Sequence, residues 1–118
     1  MTIRGTKTVR LALAASALAF VMGMGPALAG CYEDGVNCTN DHYIPKSVLR
    51  GLSCDSLWTL RNSIYNEHGY CFVTKAAKKV FDNDDCTVHN SANLGFNSFE
   101  QGNIDRIASV EKEFSCPK

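Results

Sequence analysis

From about residue 54 onward, apolar positions recur at helical spacing between short polar stretches. Stepping about 100° per residue, Leu57, Trp58, Leu60, Ile64 and Tyr65 fill one arc of a helix spanning about 54–68. Asp55, Ser56, Thr59, Ser63, Asn66 and Glu67 fall outside that arc, so the helix has one core-facing side. Ser53 is placed to cap the first turn and Asp55 to complement its dipole. Gly69 ends the helix, because glycine takes the left-handed conformation without a Cβ clash. Two polar residues, Arg61 and His68, interrupt the apolar arc. A guanidinium held there needs an acid from another element. His68 reads as a hydrogen-bonded core residue rather than a ligand or base.

A second long helix is predicted over about 98–114, opened by a capping box of Ser98 and Gln101. Its apolar side carries Ile104, Ile107, Ala108, Val110 and Phe114, and Glu111 lies among them. Glu111 is therefore the predicted partner of Arg61, with Glu100 as second choice. Short helices are expected near 45–50, after Pro45 and before Gly51, and near 74–81, capped by Thr74. In the latter, Ala76, Ala77, Val80 and Phe81 gather on one side with Val73 nearby, and Lys75, Lys78 and Lys79 form a solvated face. Residues 31–44 read as irregular, with Asp34 and Asp41 as solvated carboxylates. The polar stretch 82–97 reads as a long loop anchored by Leu94 and Phe96, and as the natural place for a binding surface. Its Asp82-Asn83-Asp84-Asp85 run lacks the central glycine and distal glutamate of a calcium loop, so no metal is assigned. The expected fold is mainly α: a small helical domain with two long helices, two short ones and irregular loops.

The chain begins with a basic stretch carrying Arg4, Lys7 and Arg10, then an apolar run from Leu11 to Met24 and the small residues of Pro26-Ala27-Leu28-Ala29. That is the form of a secretory signal peptide cut after Ala29, and the run is short for a membrane span. The predicted organisation is a leader at 1–29, an N-terminal loop and short-helix segment at 30–53, and a helical domain at 54–116. Leu28-Ala29-Gly30-Cys31 also resembles a lipobox, which would make Cys31 a lipidated N-terminus. Cysteine arithmetic favours the soluble product, because the six cysteines make three bridges and lipidation leaves five. Removing Arg4, Lys7 and Arg10 from twelve basic residues leaves nine against twelve acidic, a charge near −3. That balance argues against a nucleic-acid binder.

Six cysteines in so short an exported chain fit a disulfide framework better than zinc, since neither a C-x-x-C pair nor a close His/Cys cluster occurs. Cys54 and Cys71 flank a helix roughly 20 Å long at about 1.5 Å per residue, too far apart to bridge. That leaves Cys71–Cys86 with Cys54–Cys116, or the swapped arrangement. The first is preferred, with Cys31–Cys38 as a separate local loop.

Arg61-Asn62, Ile64-Tyr65, His68-Gly69 and Phe72 together resemble the YARHG domain family. Its pentapeptide stands here as Tyr65-Asn66-Glu67-His68-Gly69, with Asn-Glu replacing Ala-Arg. The resemblance continues to about Cys116, and Cys86 occupies a region where the family often has an aromatic pair, as in a cysteine-bearing relative. It implies an extracellular bacterial domain that sometimes accompanies protease or kinase domains, and attachment to a cell-wall component. It brings no catalytic residues and no cofactor.

The functional expectation is a secreted or periplasmic non-enzymatic domain that binds a cell-envelope component or a partner protein. Alternatives are a lipoprotein anchored through Cys31 and a small inhibitor of an envelope or host enzyme presenting loop 82–97. A hydrolase with His68 as base ranks last, because Ser53, Ser56 and Ser63 sit in capping or exposed positions and no nucleophile motif accompanies it.

Overall fold

A computed structural model of the chain describes residues 30–32 and 35–118. The leader expected at 1–29 and Asp34 lie outside them. The N-terminal segment departs from its irregular reading. Strand β1 (Cys31–Tyr32) pairs antiparallel with β2 (Asn37–Cys38), with Cys31 opposite Cys38. The bridge between these two cysteines holds the ladder, and Gly35 (φ 80) and Asn37 (φ 59) turn the chain between its strands. Helix α1 (Lys46–Leu49) follows Pro45, whose carbonyl accepts from the amides of Val48 and Leu49.

Helix α2 (Cys54–Glu67) is capped by Ser53, whose hydroxyl accepts from the Ser56 amide at 3.1 Å. It closes through a paired C-terminal turn. Gly69 takes φ 79 and donates to the Asn66 carbonyl, while the Tyr70 amide donates back to Tyr65. Helix α3 (Lys75–Val80) is capped by the Thr74 hydroxyl, which accepts from Ala77 at 3.2 Å. Its buried side is narrower than the sequence suggests. Ala77 and Phe81 are buried, whereas Ala76 is exposed and Val73 and Val80 are 75% and 56% exposed. Six residues make fewer than two turns, so only one short stripe can face the core.

Helix α4 (Ser98–Glu113) begins with a capping box shifted by one residue from the expected register. Asn97 accepts from the Glu100 amide at 2.8 Å, and Glu100 returns to the Asn97 amide at 2.9 Å. Ser98 and Gln101 are exposed, and Gln101 turns instead to Asp105 at 3.1 Å. Phe114, expected on the apolar side, is the C-cap and 42% exposed, and Ala108 is exposed as well.

The main core lies between α2 and α4. Leu57, Leu60 and Ile64 pack with Ile104, Ile107 and Val110, and Val36, Ile44 and Leu49 close the end. The 30–53 segment therefore shares this core. Fully buried Asn103 ties it to α4: its carbonyl oxygen accepts from the Ile44 amide at 2.8 Å, and its amide group donates to the carbonyls of Thr39 and His42. A second, smaller cluster of Phe72, Ala77 and Phe81 sits beside it, bordered by Trp58, Tyr65 and Tyr70. The fold is mainly helical with two long helices, as periodicity predicts. Among the described residues, no helix is long and apolar enough to cross a membrane.

Candidate functional site

Helices α2 and α4 meet along a polar seam set into apolar surroundings. Arg61 donates from Nε and Nη2 to the two oxygens of Glu111, at 2.7 and 3.1 Å. The fork-to-fork geometry satisfies both charges at once. Donation to the Glu111 carboxylate holds the guanidinium above its ordinary pKa, against the opposing effect of burial. About two turns further along α2, His68 Nε2 stands 2.7 Å from Glu100 Oε2, and the other oxygen of Glu100 completes the capping box. Glu100, the second choice for Arg61, thus serves His68. The His68 ring also meets Phe96 edge-on, with centroids 4.9 Å apart. Among the described residues, every buried side-chain nitrogen and oxygen has a hydrogen-bond partner.

The cysteines form the bridges Cys31–Cys38, Cys54–Cys116 and Cys71–Cys86. The second joins the start of α2 to the residues after α4, across a Cα separation of 5.5 Å. The third clamps the loop that contains α3, with Cα atoms 5.1 Å apart. Asn83 reinforces this clamp by accepting from the Phe72 amide at 3.0 Å and donating to the Phe72 carbonyl at 2.9 Å. Beyond it, Tyr70 and Val88 form an isolated parallel bridge, and the Cys71 amide donates to Val88.

The remaining motif residues fall on these contacts. Asn62 donates to the Trp58 carbonyl at 2.9 Å, and Ile64 is fully buried. Tyr65 meets Tyr70 and Phe96 edge-on, and Phe72 stacks on Phe81 with centroids 4.9 Å apart. Gly69 turns the chain, and a Cβ there would stand 3.1 Å from Thr87 Oγ1.

Where the end of α2 meets the clamped loop, a groove of about 270 Å³ opens. It is lined by Asn66, Gly69, Tyr70, Asp82, Asp85 and Cys86. Its chemistry is mixed: an aromatic ring, an amide, two carboxylates and the backbone of a tight turn. The carbonyl end of α2 adds negative potential. Tyr70 is fixed between the rings of Tyr65 and Phe72. Asp82 accepts from the Asp84 amide at 2.8 Å, which shapes the acidic turn. The sequence pointed to loop 82–97 but not to Asn66 or Tyr70. The available signal was the Cys71–Cys86 bridge, which carries Asp82 and Asp85 to the end of α2. Among the described residues, no cluster of three or more His, Cys, Asp or Glu side chains could hold a metal ion.

The model of the YARHG domain matches residues 35–112, more than half of the chain. The chain belongs to the YARHG domain family. The YARHG match runs from the β1–β2 turn into the last turn of α4, so it takes in most of the 30–53 segment along with the long helices. No curated protein and no solved structure matches the chain. A YARHG domain is a small domain of the extracellular type, and three disulfides fit that setting. The two positions where the pentapeptide departs from the YARHG letters both have defined contacts. Asn66 lines the groove, and Glu67 accepts from the Tyr32 hydroxyl.

Proposed function

We propose that this YARHG domain is an exported, non-enzymatic binding module that uses the groove beside the Cys71–Cys86 bridge to hold a cell-envelope component or a partner protein. The observation that carries the reading is the groove itself, where Tyr70, held by Tyr65 and Phe72, lies beside Asn66, Asp82 and Asp85. Carboxylates and an amide around an aromatic ring suit a ligand rich in hydroxyl and amine groups, as in a cell-wall glycan or the lysine side chains of a protein. The non-enzymatic reading is supported by how the reactive side chains are used. His68 is engaged by Glu100 and Phe96, Ser53 caps α2, Ser63 donates to the Thr59 carbonyl, and all six cysteines are bridged. The soluble form is supported over an anchored lipoprotein, because the Cys31 sulfur that lipidation would require is bound to Cys38.

The test is retention of the mature domain on purified peptidoglycan, run beside affinity capture from an envelope extract. Binding is expected to drop about tenfold or more in Tyr70→Ala and in Asp85→Asn; Asp85 is exposed, so its variant keeps the packing that Tyr70→Ala also removes. Binding that is unchanged in both variants would remove the groove from consideration. Turnover of the retained wall material would overturn the non-enzymatic reading.

A further inference from the structure

Gly30 is held firmly by contacts with Thr39 and with the end of α2. It is buried, and its carbonyl accepts from the Thr39 amide at 2.6 Å and the Thr39 hydroxyl at 3.2 Å. Its amide nitrogen donates to the carboxylate of Glu67 at the end of α2. Its φ of 83 excludes most side chains, and a Cβ there would stand 3.2 Å from Glu67 Oε1. The same carboxylate accepts from the Tyr32 hydroxyl on β1. Glu67 is thus the common acceptor for the start of the N-terminal ladder.

We propose that cleavage after Ala29 turns the Gly30 nitrogen into an ammonium that Glu67 captures, so that leader removal itself locks the ladder onto the end of α2. The inference rests on the expected cleavage position and is independent of what the groove binds. The chemistry is peptide hydrolysis by a leader-cutting peptidase. Water adds across the Ala29–Gly30 bond, oxygen goes to the Ala29 carboxylate, and the freed amine takes up a proton. A single neutral donor facing Glu67 is replaced by a charged group with three donors. The other groups facing Glu67 are the Tyr32 hydroxyl, His68 and Glu100. In the uncut chain, burial pushes the Glu67 carboxyl up, a state that an adjacent ammonium would relieve. Lipidation at Cys31 would discard Gly30 and this whole arrangement.

Two measurements test it. N-terminal sequencing of the exported protein should begin at Gly30; a start at lipidated Cys31 or at another residue overturns the proposal at its premise. In glycine-labelled mature protein, the Gly30 α-amine should titrate about one pH unit above the ordinary range of roughly 7.7–8.0, and should return to that range in Glu67→Gln. An ordinary value in the wild type, or a raised one unaffected by Glu67→Gln, overturns the capture. Should Glu67→Gln fail to fold, a chain starting at Ala29 serves instead. It should melt below the Gly30 chain, and equal midpoints count against the proposal.

Discussion

The two halves of this molecule are held together by different means. The α2–α4 half joins aliphatic side chains from both long helices and from the N-terminal segment around buried Asn103 and the Arg61–Glu111 pair. The α3 half has a small apolar cluster of Phe72, Ala77 and Phe81, and relies on a disulfide and one asparagine to keep its loop in place. Apolar burial scales with the surface available, so a six-residue helix cannot generate a core of its own. A covalent clamp substitutes for it. The difference explains why the groove lies on the α3 side. A clamped loop can leave polar side chains such as Asp85 facing solvent, where a packed helix interface would have to pair each one.

The largest effect should come from opening the large half. Replacing Cys54 and Cys116 together by serine releases a loop with a sequence separation of 62. The chain-entropy model puts the cost at about 4 kcal/mol, to be read as a drop in the global denaturation midpoint. Glu111→Gln leaves Arg61 facing a neutral amide and should cost about 3 kcal/mol. The low end of the range for buried pairs applies because the Arg61 side chain keeps 27% of its exposure. A variant as stable as the wild type would mean the pair contributes nothing to the helix interface. Serine at Cys71 and Cys86 frees a loop of separation 15, worth about 3 kcal/mol at most on the same model. Its effect should be local, with groove binding lost while the α2–α4 unfolding transition stays nearly in place.

The smallest effect is at Glu67. Burial holds its carboxyl above the ordinary value, so its favourable contribution is complete below the unfolded pKa and is lost as pH rises through the higher folded one. Urea melts of a chain still carrying Ala29 should therefore show a component that falls as pH rises above the ordinary glutamate value of about 4.3. Glu113, held low by Arg50, slopes the other way, so the comparison with Glu67→Gln isolates the Glu67 component. In the Gly30 chain, the captured ammonium should flatten it.

The two long helices were legible in the sequence because their signals are local. Ser53 and Gly69 mark the ends of α2 by rules that act within one turn, and the apolar arcs show which sides must meet. Arg61 at the centre of one arc called for an acid, and the structure brings Glu111 to it. The cap of α4 could not be read to the residue, because Asn97 and Ser98 are both good caps. The choice falls to a distant contact, the one between Glu100 and His68. The face of α3 was overestimated for a related reason: periodicity shows what a helix could bury, but among the described residues Val73 and Val80 stay exposed. The groove was hidden because its walls are separated in sequence, and its carboxylates look like any solvated turn until the Cys71–Cys86 bridge places them.

Native-state hydrogen exchange compares the two halves in one experiment. Amides of α2 and α4 around Leu57, Ile64 and Ile107 should exchange together, through global unfolding, while those of α3 from Ala77 to Val80 exchange earlier through a smaller opening. If the α3 amides prove as protected as those of α2 and α4, and lose protection only with them, the molecule has one uniform core and the division drawn between its halves is wrong.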